Sequence, residues 1–295
     1  CDRKQQKAQE ISACGITDHY DFNPGQGRGA TEIDLLEVMP GTPDKLPVVE
    51  HNVHRPYNSM TLQIAPGIPA NKKRPPPGTL PKWGFHWYEN ITFGENVSIN
   101  PFFYGTYLGP TRKEEPAYRS PEEAYQADAI GSFMQLNESN WNEFAVFRLE
   151  WEPGPHGYVR WYVDDEFKFG IAGEGLNAAS GAQIPEEPSY VILNTAISTS
   201  WGFPDTVPWG CTEYDCKTKE GKCGFHDGFC ESLPAEFQIE YVRVYQDKNN
   251  SRHTLGCNPK KFPTAKYIKA HTFKYLTPLQ YQTEALLPVK KGGGL

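Results

Sequence analysis

What most constrains the fold of this chain is that its apolar residues come in short β-rich runs, each broken off by proline or glycine. The pattern predicts strands near 31–38 (TEIDLLEV), 59–64 (SMTLQI), 128–136 (DAIGSFMQL), 143–151 (EFAVFRLEW), 158–163 (YVRWYV), 189–196 (SYVILNTA) and 236–245 (EFQIEYVRVY). Connections such as Pro75-Pro76-Pro77-Gly78 and Glu152-Pro153-Gly154-Pro155 cannot lie inside central strands, because proline has no N–H to donate to a ladder. A run at 166–169 follows Asp164-Asp165, a two-residue link of the kind that closes a tight hairpin. Long helical periodicity is hard to find before the C-terminal region. The expectation is an all-β chain, a sandwich with long Pro/Gly-rich loops at its rim. A chain of 295 residues can hold such a sandwich as one domain, placed at 1–275. The stretch 276–295 loses strand character and ends in Gly292-Gly293-Gly294, so it reads as a linker or tail.

Composition narrows the partners. A formal net charge of −7 argues against nucleic acid, whose binding surfaces are basic. No run approaches 18 apolar residues, so any membrane attachment is expected only through a segment outside this chain. The opening Cys1-Asp2-Arg3-Lys4 has no apolar leader and no initiator Met, which reads as the start of a processed or excised segment. Four of the seven cysteines, Cys211, Cys216, Cys223 and Cys230, crowd into twenty residues without CxxC pairs. Local disulfides are expected there ahead of free thiols or a metal site. Four N-glycosylation sequons begin at Asn90, Asn96, Asn137 and Asn249. Together these features place the chain in the secretory pathway, as a lumenal, cell-surface or extracellular protein.

The segment that carries chemistry is Thr31-Glu32-Ile33-Asp34-Leu35-Leu36-Glu37-Val38. Three acids spaced E-x-D-x-x-E are expected by chance about half a time in a chain of this length. Their setting is what counts, because Ile33, Leu35, Leu36 and Val38 make the segment a strand. Alternation puts Glu32 and Asp34 on one face and Ile33 and Leu35 on the other. Strict alternation would then turn Glu37 to the wrong face. A β-bulge at Leu35-Leu36 adds one residue and returns Glu37 to the side of Asp34. Three carboxylates crowded on one face raise one another's pKa. Retaining glycoside cleavage has a use for that, since it needs one ionised and one protonated carboxyl about 5–5.5 Å apart. The bland alternatives are a solvated acidic strand face or a cation site. No metal or cofactor is called for. Aromatic residues make up 13% of the chain. Many lie in loops, and Trp83, Trp87 and Trp201 are candidates to stack on sugar rings.

The motif E-I-D-L-L-E resembles the bulged catalytic signature of the family 16 glycoside hydrolases, the laminarinase and lichenase group. That resemblance implies a concanavalin-like jelly roll and a retaining mechanism, with Glu32 as nucleophile, Asp34 as its assistant and Glu37 as acid/base. Further segments, namely 27–37 (GRGATEIDLLE), 147–154 (FRLEWEPG), 239–245 (IEYVRVY), 256–259 (GCNP) and 262–268 (FPTAKYI), are similar to the β-glucan synthesis-associated proteins of fungi and stramenopiles, the killer-toxin-resistance type. The implied function is hydrolysis or transglycosylation of cell-wall or storage β-glucan, β-1,3 or β-1,6. The alternative is a non-catalytic glucan-binding or synthase-assembly module. Members of the family carry several sandwich strands before the acid strand, whereas 31 residues precede Glu32 here, and fungal members also carry an N-terminal membrane anchor. The sandwich is therefore expected to lack N-terminal strands and to leave strand 31–38 short of neighbours.

Overall fold

The computed structural model describes residues 32–39, 56–69, 90–99, 106–107, 125–195, 214–215, 220–221, 230–253, 256, 258–261, 265–270 and 272. Among these, antiparallel strands dominate. The first sheet joins β1 (Ile33–Met39), β2 (Tyr57–Pro69), β6 (Tyr125–Gln135) and β4 (Val97–Ile99) in that order, with β5 (Thr106–Tyr107) also pairing β6. The second sheet runs β3 (Ile91–Phe93), β9 (Glu166–Ala172), β8 (Tyr158–Val163) and β7 (Phe147–Glu152). A short ribbon pairs β10 (Tyr214–Asp215) with β11 (Glu220–Gly221). Helices α1 (Ser139–Asn142), α2 (Gly173–Ser180) and α3 (Ala265–Ala270) complete the described elements.

One apolar cluster joins the two sheets. Met60, Leu62, Ile64, Ile130 and Met134 come from the first, and Val159, Trp161, Val163, Phe169 and Ile171 from the second. Each set sits at alternate positions along its strand, the period-two pattern that sends every second side chain to one face. Trp161 and Phe169 meet with ring centroids 5.0 Å apart in the middle of this layer. Burying a side chain of this size contributes about 2–3 kcal/mol. Helix α2 adds Leu176, fully buried, and stops at Gly181, whose φ of 79° gives the left-handed turn that ends many helices.

The hairpin predicted at Asp164-Asp165 forms with strands at 158–163 and 166–172. Both aspartates have positive φ, 49° and 64°, as a two-residue turn matched to the strand twist requires. Strands also form at the predicted runs near 31–38, 59–64, 128–136 and 143–151, with ends shifted by a few residues.

Of two further predicted strands, 189–196 and 236–245, the described residues form no strand; residue 196 lies outside them. Residues 189–195 and 236–245 belong to no ladder, and Tyr190, Val191, Ile192, Leu193, Phe237, Ile239, Tyr241, Val242, Val244 and Tyr245 are all exposed. The second segment still has contacts between alternate side chains: Gln238 donates to Glu236 at 2.7 Å, and Arg243 lies 4.2 Å over the Tyr241 ring. Local pattern alone did not supply the neighbouring backbone that turns an extended run into a strand. Strand β1 heads the order of its sheet and pairs only β2 among the described residues. The proposed tail at 276–295 lies outside the described residues.

Candidate active site

The acid triplet lies on β1 and the residue just before it. Asp34 faces Thr61 and Glu37 faces Ser59 on β2, so three steps along β1 match two along its partner. That mismatch is the expected bulge, and it spans Leu35-Leu36. The Glu32 carbonyl accepts from the Gln63 N–H at 2.9 Å, which extends the pairing one residue upstream. Ile33 and Leu35 pack against the core, leaving Asp34 and Glu37 on the opposite face beside Ser59 and Thr61. On that face the Ser59 and Thr61 hydroxyls are 3.3 Å apart.

Two side chains that sequence reasoning missed hold this strand in shape. Asn58 is fully buried, and its Oδ1 accepts from the Glu37 N–H at 2.8 Å. Its Nδ2 donates to the Leu35 carbonyl at 3.1 Å. One amide group thus takes up both backbone groups that the bulge removes from the ladder. Burying a polar side chain is costly unless both ends are satisfied, and here both are. A signal was available: Asn58 shares the alternating register of Met60, Leu62 and Ile64, and a polar residue on an apolar face must have a partner. The second is Trp161, whose Nε1 donates across the sandwich to the Asp34 carbonyl at 2.9 Å.

The electrostatics follow from half-burial and crowding. Burial first, then the charges of Glu37 and Glu32 and a hydrogen bond with Glu32, push the Asp34 carboxyl up to about 8. Burial, then the charge of Glu32, pushes Glu37 up to about 7. At neutral pH Asp34 therefore carries a proton, which it can give to a hydrogen bond with Glu32. Glu37 is poised between holding its proton and losing it.

Other expected site residues fare differently. Trp83, Trp87 and Trp201, and Cys211, Cys216 and Cys223, lie outside the described residues. Cys230 is disulfide-bonded. Asn90, Asn96, Asn137 and Asn249 are all exposed. Asn249 sits in a turn where the Asn250, Arg252 and His253 side chains all reach Glu152 on β7.

An antiparallel all-β chain with clustered acids on one strand has relatives among β-glucan proteins. The family profile of "Beta-glucan synthesis-associated protein SKN1/KRE6/Sbg1" matches residues 121–210 and 229–283. Beta-glucan synthesis-associated protein KRE6 of Candida albicans is 26% identical over 282 residues, covering 90% of this chain and 30% of that protein. The SKN1 protein of Saccharomyces cerevisiae is 25% identical over 278 residues, 90% of this chain and 28% of that protein. A more distant relative, a Beta-glucanase of Rhodothermus marinus, is 28% identical over 107 residues, 35% of this chain and 29% of that protein. No solved structure matches the chain. The chain belongs to the β-glucan synthesis-associated family, and it spans about 30% of the length of the family relatives it matches.

Proposed function

We propose that this chain carries the catalytic strand of a retaining β-glucan hydrolase or transglycosylase, on a jelly roll of the concanavalin type, acting on cell-wall or storage glucan in the secretory pathway. The observation that carries this reading is the bulge. It keeps Glu37 on the face of Asp34, in surroundings that hold Glu37 at the pKa a proton donor needs near neutrality. In the first step the Glu32 carboxylate attacks the anomeric carbon while Glu37 gives its proton to the glycosidic oxygen. The C–O bond to the leaving sugar breaks as the bond to Glu32 forms. Asp34, protonated, donates to Glu32 and orients it for attack. In the second step a water or a sugar hydroxyl attacks the anomeric carbon, gives its proton to Glu37, and releases Glu32. The acceptor decides between hydrolysis and transfer.

The test is incubation of the full-length protein with laminari-oligosaccharides, with product lengths read by mass spectrometry. Products longer than the substrate mean transfer, and only shorter ones mean hydrolysis. Glu37→Gln should lower the rate about 10²–10⁴-fold, the usual contribution of a positioned acid/base. Unchanged oligosaccharides with retained glucan binding would replace this reading with that of a binding or assembly module.

A further inference from the structure

The outer face of the second sheet carries a groove that the reaction does not use. Its volume is about 370 Å³, and its lining includes Asn90, Thr92, Tyr158, Arg160, Tyr162 and Phe167. The register explains its shape. Thr92 on β3 faces Gly170 on β9, which faces Arg160 on β8. In the next row the Asn90 carbonyl accepts from the Ala172 N–H at 3.1 Å, and Ala172 faces Tyr158. Two small residues thus form a floor between a polar wall at Asn90 and Thr92 and an aromatic wall two strands away, about 9–10 Å across at ordinary strand spacing. A Cβ on Gly170 would stand 3.1 Å from the Phe167 ring carbons, so that ring packs close over this buried glycine and the half-exposed Ala172 is the open part of the floor. Arg160 stacks 4.0 Å over Tyr158, and Tyr162 meets Phe167 edge-on at 5.7 Å, which fixes the opposite wall.

Asn90 and Thr92 are the first and third residues of a sequon, and both are exposed at the rim. Asn90 has a φ of 60°, a left-handed conformation that asparagine tolerates better than most residues. We infer that this groove is the seat of an N-linked glycan on Asn90, whose first sugars lie over Ala172 and stack on the tyrosine wall. Attachment joins the Asn90 Nδ2 to C1 of the first sugar of a lipid-diphosphate-linked oligosaccharide. The C1–O bond to the diphosphate breaks, the lipid diphosphate leaves, and the amide nitrogen loses one proton. A pyranose face offers C–H groups to an aromatic ring while its hydroxyls stay wet, and a half-open groove with aromatic and arginine walls suits both. The groove lies on the second sheet and the acid triplet on the first, so this inference does not depend on the proposed reaction.

The test uses the full-length protein secreted from a eukaryotic host. Glycopeptide mass spectrometry should find Asn90 occupied. Under native conditions an endoglycosidase should release the Asn90 glycan at least tenfold more slowly than it does from a Tyr158→Ala/Tyr162→Ala variant, because the seated sugars are shielded. If that variant does not fold, the occupied glycans at Asn96 or Asn137 of the unaltered protein serve as the reference rate. An unoccupied Asn90, or release from the folded protein as fast as from the reference, overturns the inference.

Discussion

Strand β1 and the β8–β9 hairpin both depart from regular pairing, and they do so by opposite means. The hairpin's reversal is set locally, by two consecutive aspartates in the left-handed region. The bulge in β1 is set from a distance: Asn58, 21 residues from Glu37, takes its N–H, and Trp161, 127 residues from Asp34, takes its carbonyl. A turn built from its own backbone needs only suitable residues. A bulge in mid-strand leaves backbone groups that another part of the fold must satisfy. The face that carries the acid triplet therefore rests on side chains far away in the sequence.

The widest gap between the two regions should appear on replacing Asn58. Asn58→Leu leaves the Glu37 N–H and the Leu35 carbonyl without their partner, at about 1–3 kcal/mol for each unsatisfied group. A displaced Glu37 should lower kcat by about 10²-fold, since an error near 1 Å in a catalytic group has that effect. Asn58→Asp keeps an acceptor for the Glu37 N–H and, while its buried carboxyl holds a proton, a donor for the Leu35 carbonyl. It should retain far more activity than Asn58→Leu at low pH and lose it as pH rises and the carboxyl ionises, a pH dependence that a purely steric role would not show. Full activity in Asn58→Leu would show that the bulge does not depend on this amide.

A smaller contrast should appear in the pH dependence of stability. Asp34 and Glu37 rise in the folded state from 3.8 and 4.5 to about 8 and about 7. The folded protein then binds more protons than the unfolded chain between those limits. Stability is full below about pH 4 as far as these two groups are concerned, and it falls as pH rises toward 8. Thermal melts of the unaltered protein and of Asp34→Asn/Glu37→Gln should converge at low pH and separate as pH rises, with the double variant the more stable at pH 8. Parallel curves would mean that the two carboxyls titrate normally.

The least effect is expected at the hairpin. Asp165→Gly relieves a positive φ that glycine adopts freely, and it removes only an exposed contact with Arg148 at 3.4 Å. Glycine also loosens the unfolded chain, so chemical denaturation should show a change below about 1 kcal/mol, with activity unchanged. A loss of activity there would mean that the second sheet speaks to the site more directly than the hydrogen bonds show.

The same contrast explains what was legible in the sequence. The hairpin could be read from Asp164-Asp165 because its cause lies in those residues. The bulge could be read because three acids and two leucines cannot otherwise share one strand with a clean core face. Asn58 was not read, since asparagine before a β-run looks like a turn residue until its register with Met60, Leu62 and Ile64 is noticed. Segments 189–195 and 236–245 are, like β8, rich in β-branched and aromatic residues, but a strand is a relation between two backbones, and local pattern describes only one. The short strands β3, β4 and β5 were passed over for the opposite reason. With two or three residues each, they owe their existence to β9 and β6.

Trp161 gives the molecule an internal reporter. Its ring is 1% exposed and fills the core against Phe169, while its one polar atom is bonded to the backbone of the central acid. The indole proton is therefore shielded from solvent exchange only while the two sheets remain together and β1 keeps its place. Its resonance in a nitrogen-labelled sample would register a loosening of either one, from inside the core.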